Sequence, residues 1–241
     1  MNIKILLNMI VIESKRKRPE SLFKDYPNAV FYDVTSKSPY KALQQLSPFY
    51  PWGEIPVSFS PGVCATCVEA VWQGLKVFEN ADIDTELFSN DTMKGLKRSS
   101  RVYGKVLGHR RGVHGETLLN YLDARRKIYI PTYKWMLENK AYESIQYIRE
   151  FVSKNPNKTV VLLDYQTNCN VEDLSKPLSH AYLVKAYVEG NSPYEDIVIK
   201  TKVRRTYIGR RFIERTTIEP HFKELPADDV KDDQLMLDFD E

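Results

Sequence analysis

Three cysteines, four histidines and ten glycines in 241 residues leave little material for several kinds of chemistry. Cys64, Cys67 and Cys169, in a chain without a recognisable leader, point to free thiols in a reducing, cytoplasmic setting. Cys64-x-x-Cys67 followed by His109 and His114 superficially resembles a zinc ligand set. The 41 residues between Cys67 and His109 are far from compact zinc-site spacing, and no metal or other cofactor is expected. None of the glycine-rich phosphate loops occurs, nor any internal repeat or low-complexity tract. No apolar run reaches the roughly 18 residues of a membrane span. The opening MNIKILLNMIVIE is interrupted by Lys4 and Asn8 and lacks a small-residue cleavage site. It reads as an edge strand, with Met1 or Met9 as the start, and not as a signal peptide.

What is present suits one sizeable core. A hydrophobic content of 42% and a charged content of 28% are those of an ordinary globular protein. Strands are expected over 2–13, 29–34 and 159–164, the last (TVVLLD) having the continuous apolar character of a buried strand. Helices are expected near 19–26, 63–79, 92–107, 116–139 with an interruption at Pro131, 141–154 and 179–189. Residues 196–218 alternate as a strand pair does, turning near Tyr207-Ile208-Gly209. The mixture lacks regular βα alternation, so the fold class is α+β: a mainly helical core, a small antiparallel sheet and a C-terminal hairpin. One domain spans residues 1–225, and 226–241 forms a disordered acidic tail. That tail holds seven acids against Lys231, and removing it leaves 34 basic and 25 acidic residues, a net of +9. A basic body suits a polyanionic partner such as DNA.

Residues 46–78 carry the densest signal. An aromatic, proline-broken loop with Ser47, Phe49, Tyr50 and Pro51 runs into a helical pattern in which Glu69, Trp72, Gln73 and Lys76 share one stripe. Val68, Val71, Leu75 and Phe78 form the neighbouring apolar stripe. The loop resembles the F-S-N-F-Y-P segment of the NADAR family, and EAVWQGLKVF resembles that family's E-H-Y-x-Q-x-x-K-F helix. Matching positions are Ser47, Phe49, Tyr50, Pro51, Glu69, Gln73, Lys76 and Phe78. Pro48, Ala70 and Val71 depart from the pattern, one extra residue precedes Phe78, and the WGDG-like signature is missing, as in a divergent branch. NADAR proteins are small N-glycosidases, some acting on phosphorylated riboflavin-pathway intermediates and others removing ADP-ribose from guanine in nucleic acid. The resemblance implies hydrolysis of an N-glycosidic bond in an ADP-ribosyl or related phosphoribosyl nucleotide, with ADP-ribosylated guanine in DNA as one such substrate. The alternative is an inactive nucleic-acid-associated module that keeps the fold.

Such a reaction needs a carboxylate beside the developing oxocarbenium and donors for the departing base. Glu69 matches the family's central glutamate, with Gln73 to orient a hydroxyl, Trp72 and Tyr50 to stack, and Lys76 to meet a phosphate. Asp164 closes the buried strand as a second acid, and the polar segment after it supplies Asp173 and His180. Arg110, Arg111, Arg125 and Arg126 are candidates for phosphate. Lys200, Lys202, Arg204, Arg205, Arg210, Arg211 and Arg215 would give the hairpin a basic face. In the tail, Gln234, Leu235, Leu237 and Phe239 fit QLxLxF, which resembles the hexapeptide that docks bacterial proteins on the replication sliding clamp.

Overall fold

The computed structural model describes residues 10–191, 193, 197–208 and 211–222. Strand β1 (Ile10–Ser14), helix α1 (Pro19–Asp25) and strand β2 (Ala29–Asp33) open this part of the chain. The short helix α2 (Lys41–Gln44) and the two-residue strands β3 (Ile55–Pro56) and β4 (Cys64–Ala65) follow. Helix α3 (Val68–Gly74) leads into β5 (Lys76–Phe78), α4 (Ser100–Tyr103), β6 (Val106–Arg110) and β7 (Leu118–Leu119). Next come α5 (Tyr121–Ala124), α6 (Ile130–Asn139), α7 (Tyr142–Lys154), strand β8 (Thr159–Asp164) and α8 (His180–Glu189). Strands β9 (Ile197–Ile208) and β10 (Arg211–Phe222) pair antiparallel as a hairpin. The protein is α+β, and no described helix is long and apolar enough to cross a membrane.

The antiparallel pairing expected from the sequence occurs in β3–β4 and β5–β6–β7, but the sheet at the heart of the core is parallel. Its order is β1–β8–β2, with Ile10 opposite Val160 and Val30 opposite Val160 on the other side. The physical reason lies in β8, whose Val160, Val161 and Leu162 are all buried, so both faces of the strand need cover. Helix α8 packs on β8 and β1, and α6 and α7 pack against α8. Tyr133, Met136, Leu137, Ile145, Ile148, Leu183 and Val184 complete that core.

Three expected elements come out differently. The helix proposed over 63–79 is confined to Val68–Gly74. A Cβ on Gly74 would lie 2.3 Å from a ring carbon of Phe88, and the β-favouring Val77 and Phe78 then enter a strand paired with β6. The helix proposed over 92–107 shrinks to Ser100–Tyr103. Pro131, by contrast, does not break its helix. A π turn over Arg125–Tyr129 widens the backbone just before the proline, which absorbs the missing N–H and the ring, and the helix continues to Asn139.

Candidate active site

Helix α3 starts from Cys67, whose Sγ accepts the Ala70 N–H at 3.3 Å. Burial pushes that thiol up to about 11, and the capping role withdraws Cys67 from any metal set. The next free N–H, that of Glu69, donates to the Pro48 carbonyl at 2.9 Å. The aromatic loop is thereby tied to the helix at Glu69 itself. Within the loop, Ser47 is buried and its Oγ accepts the Phe49 N–H at 3.3 Å, while the Trp52 indole donates to the Gln45 carbonyl at 3.1 Å. Tyr50 rests against Trp52, ring centroids 5.0 Å apart.

The stripe that periodicity would leave wet is enclosed: Glu69 and Gln73 are both buried. Gln73 Nε2 donates to Glu69 Oε1 at 2.8 Å, and Gln73 Oε1 accepts the Arg98 N–H at 3.2 Å. The amide is thus oriented from both ends. Burial raises the Glu69 carboxyl above the ordinary carboxylate range, and the Gln73 hydrogen bond with the charges of Lys76, Lys97 and His180 only partly offsets it.

Trp72 joins this carboxylate to an aromatic wall. Its indole lies 3.8 Å from the His109 imidazole, 5.5 Å from Tyr129 and 6.0 Å from Tyr121, centroid to centroid. His109 is 1% exposed and neither ring nitrogen has a hydrogen-bond partner among the described residues. Burial, helped by Lys76, holds its pKa well below the usual histidine value, so it is a neutral imidazole. Burial and the nearby Glu69 charge hold the Tyr129 phenol well above its usual range, leaving it an O–H donor.

Behind this wall stands a buried ion pair. Asp164 Oδ2 accepts from Ser179 Oγ at 2.7 Å and the Ala181 N–H at 3.3 Å, and it faces His180 Nδ1 at 3.0 Å. His180 Nε2 meets the Val34 carbonyl at 2.9 Å. Both ring nitrogens face acceptors, so the ring is an imidazolium. Burial works against its charge but the Asp164 carboxylate outweighs it, and its pKa is raised. Burial likewise works against the Asp164 carboxylate, yet His180 and the hydrogen bonds prevail and its pKa is lowered.

A family model described as DUF6939, a family of unknown function, matches residues 14–184. The chain belongs to DUF6939. Comparison with curated proteins and with solved structures finds no match to either. The DUF6939 match spans every residue of the site, from Ser47 to His180, and stops short of the hairpin and the tail.

Of the residues singled out in the DUF6939 sequence, Glu69, Trp72, Gln73, Lys76 and His180 share one electrostatic environment, and Asp164 stands behind His180 as its counter-ion. Ser47 and Phe49 belong to the loop tied to Glu69. Asp173 lies on an exposed turn, its carboxylate taken up by Ser175 N–H and Oγ. Arg110 pairs with Asp82 and donates to the Gly115 carbonyl at 3.3 Å, and the Arg111 guanidinium sits 5.0 Å over the Phe59 ring. Arg126 pairs with Glu172, and the buried Arg125 is spent on the carbonyls of Val171, Asp173 and Lys176 at 2.8–2.9 Å, bracing the segment after β8. Sequence reasoning missed His109 and Tyr129 as site residues. Their approach to Trp72 depends on strand pairing and helix packing, for which no local pattern exists.

Proposed function

We propose that the protein is an N-glycosidase acting on an ADP-ribosyl or related phosphoribosyl nucleotide, with Glu69 as its central carboxylate. The observation that carries this reading is a buried, pKa-raised glutamate held by an oriented glutamine beside an unpartnered neutral histidine stacked on tryptophan. Perturbed titratable groups of this kind collect where chemistry is done. In the reaction the bond between the anomeric carbon and the base nitrogen breaks, its electrons leave with the base, and water adds to the anomeric carbon. Glu69 faces the oxocarbenium and takes the proton of the attacking water, a role suited to a carboxyl whose pKa is raised by burial. His109 and Tyr129 offer N–H and O–H donors to the departing base. Gln73 is a positioning residue, because its amide is committed to Glu69 and Arg98.

Partner readings accompany this one. The hairpin cations would meet nucleic-acid phosphates, and the peptide Gln234–Phe239, which lies outside the described residues, would dock on the sliding clamp. The deciding experiment offers ADP-ribosylated DNA, ADP-ribose and phosphorylated riboflavin intermediates, and follows base and sugar products by mass spectrometry. Release of a base from one of them supports the reading. Binding without any product favours the inactive-module alternative.

A further inference from the structure

Helix α3 ends at Gly74 and the chain passes at once into β5, a junction where the last helical carbonyls lack donors of their own helix. Arg98, in the loop before α4, is buried against that junction. Its Nη1 donates to the Lys76 carbonyl at 2.6 Å and to the Gln73 carbonyl at 3.4 Å, and its Nη2 donates to the Asp82 carbonyl at 2.7 Å. The guanidinium also lies 4.9 Å over the Phe78 ring and 5.1 Å over the Tyr103 ring. Carbonyls and rings together fix the side chain, and with it the backbone that carries it. That backbone supplies the N–H bound to Gln73 Oε1 at 3.2 Å.

We propose that Arg98 is a positioning residue of the candidate site, acting through the Gln73 amide on the Glu69 carboxylate. A backbone N–H can only donate, so it claims the oxygen of the Gln73 amide and turns the NH2 group toward Glu69 Oε1, 2.8 Å away. An amide released from Arg98 is free to flip and set its oxygen against the carboxylate, which removes a donor from the charged form. Lysine cannot take this place. Its single ammonium on a flexible stem does not match several carbonyls and two ring faces at once, as a planar fork does. The catalytic meaning of Arg98 rests on the glycosidase reading, in which Glu69 must be ionised to take a proton from water.

The test is a carbon-13 NMR titration of the Glu69 carboxyl in the full chain, assigned through Glu69→Gln, in wild type and in Arg98→Lys. The lysine keeps a positive charge and loses the fork, so Glu69 is expected to titrate about one pH unit higher, the scale of a lost hydrogen bond to a charged group. The other groups that face Glu69 are unchanged in this variant: Lys76 on β5, Lys97 beside Arg98, His180 on α8, the Tyr129 phenol and the Cys67 thiol. In a Gln73→Leu background the same Arg98 substitution should add nothing, because the route runs through that amide. With a substrate that is turned over, the acid limb of kcat should move up together with Glu69 while KM stays within a few-fold. If Arg98→Lys fails to fold, Tyr103→Leu decides: it strips one ring from the guanidinium and is expected to shift Glu69 in the same direction. An unmoved Glu69 titration in a folded variant, or an equal shift with Gln73 already replaced, overturns the proposal. The titration needs no substrate, so a shift in Glu69 without turnover of any substrate sinks the glycosidase reading and leaves Arg98 as the residue that positions Glu69.

Discussion

The indole of Trp72 and the imidazole of His109 lie 3.8 Å apart, centroid to centroid, with 32° between their planes. The contact exists because β5 follows α3 at once and pairs with β6 in the register Lys76 opposite His109. A helix residue and a strand residue distant in sequence are thereby set face to face, one beside the buried Glu69 and the other with two unmatched nitrogens.

A buried imidazole with no partner among the described residues costs stability that a bound group would recover. His109→Phe should therefore hold or raise the melting temperature while lowering turnover by about 10²-fold, the usual scale of a lost acid–base partner. Nitrogen NMR of the ligand-free protein should show His109 neutral at the ordinary histidine value of 6.5, where a free imidazole is half protonated. Full activity in the phenylalanine variant would remove His109 from the site.

Glu69 carries the same balance between stability and function. Its folded pKa is raised, so at neutral pH the ionised carboxylate works against folding, and this penalty fades as pH falls through the raised folded value and is gone below the ordinary glutamate value of 4.5. Glu69→Gln should thus melt no lower than wild type at pH 7, with any gain gone in acid, and lose about 10²-fold or more in kcat. Thermal melts at both pH values paired with turnover measurements provide the check, and retained turnover would refute the assignment.

The Asp164–His180 pair has a window of its own. The lowered Asp164 pKa contributes stability present above the ordinary aspartate value of 3.8 and lost as pH drops through the folded value. The raised His180 pKa contributes stability present below the ordinary histidine value of 6.5 and lost as pH climbs through its folded value. Between those two ordinary values the pair contributes fully. Asp164→Asn should cost about 3 kcal/mol or more there, the scale of a broken buried pair. Denaturant melts of wild type and variant at several pH values would reveal that window; a pH-independent difference would contradict it.

The tail allows a test outside the described residues. Anchors such as Leu237 and Phe239 are worth about 2 kcal/mol or more each when truncated in a true docking peptide. Their joint replacement by alanine should abolish association with a bacterial sliding clamp and leave any turnover of a small substrate intact. Calorimetry with a peptide covering Asp228 to Glu241 reads this directly, and the absence of heat and of competition would make the motif a coincidence.

Much of the secondary structure was legible because its signals are local. The run TVVLLD announces a buried strand, Pro19 opens α1 at its first turn, and Gly190 in the left-handed conformation closes α8. The grouping of Glu69, Trp72 and Gln73 on one helix was legible too, from helical spacing. Lys76 reached the same neighbourhood by another route, as the first residue of β5 and not as the fourth position of a helical stripe.

The amino-acid sequence by itself determined the α+β class, the central strand and the helix face on which the carboxylate stands, because propensity and periodicity act within a few residues. Only the tertiary structure decided that this face is buried, that the central sheet is parallel, and that His109 meets Trp72. It also turned Asp164 into the counter-ion of His180 and Arg125 into a brace for the backbone. Each of these follows from contacts between segments far apart in the chain, where burial and strand register outweigh local preference.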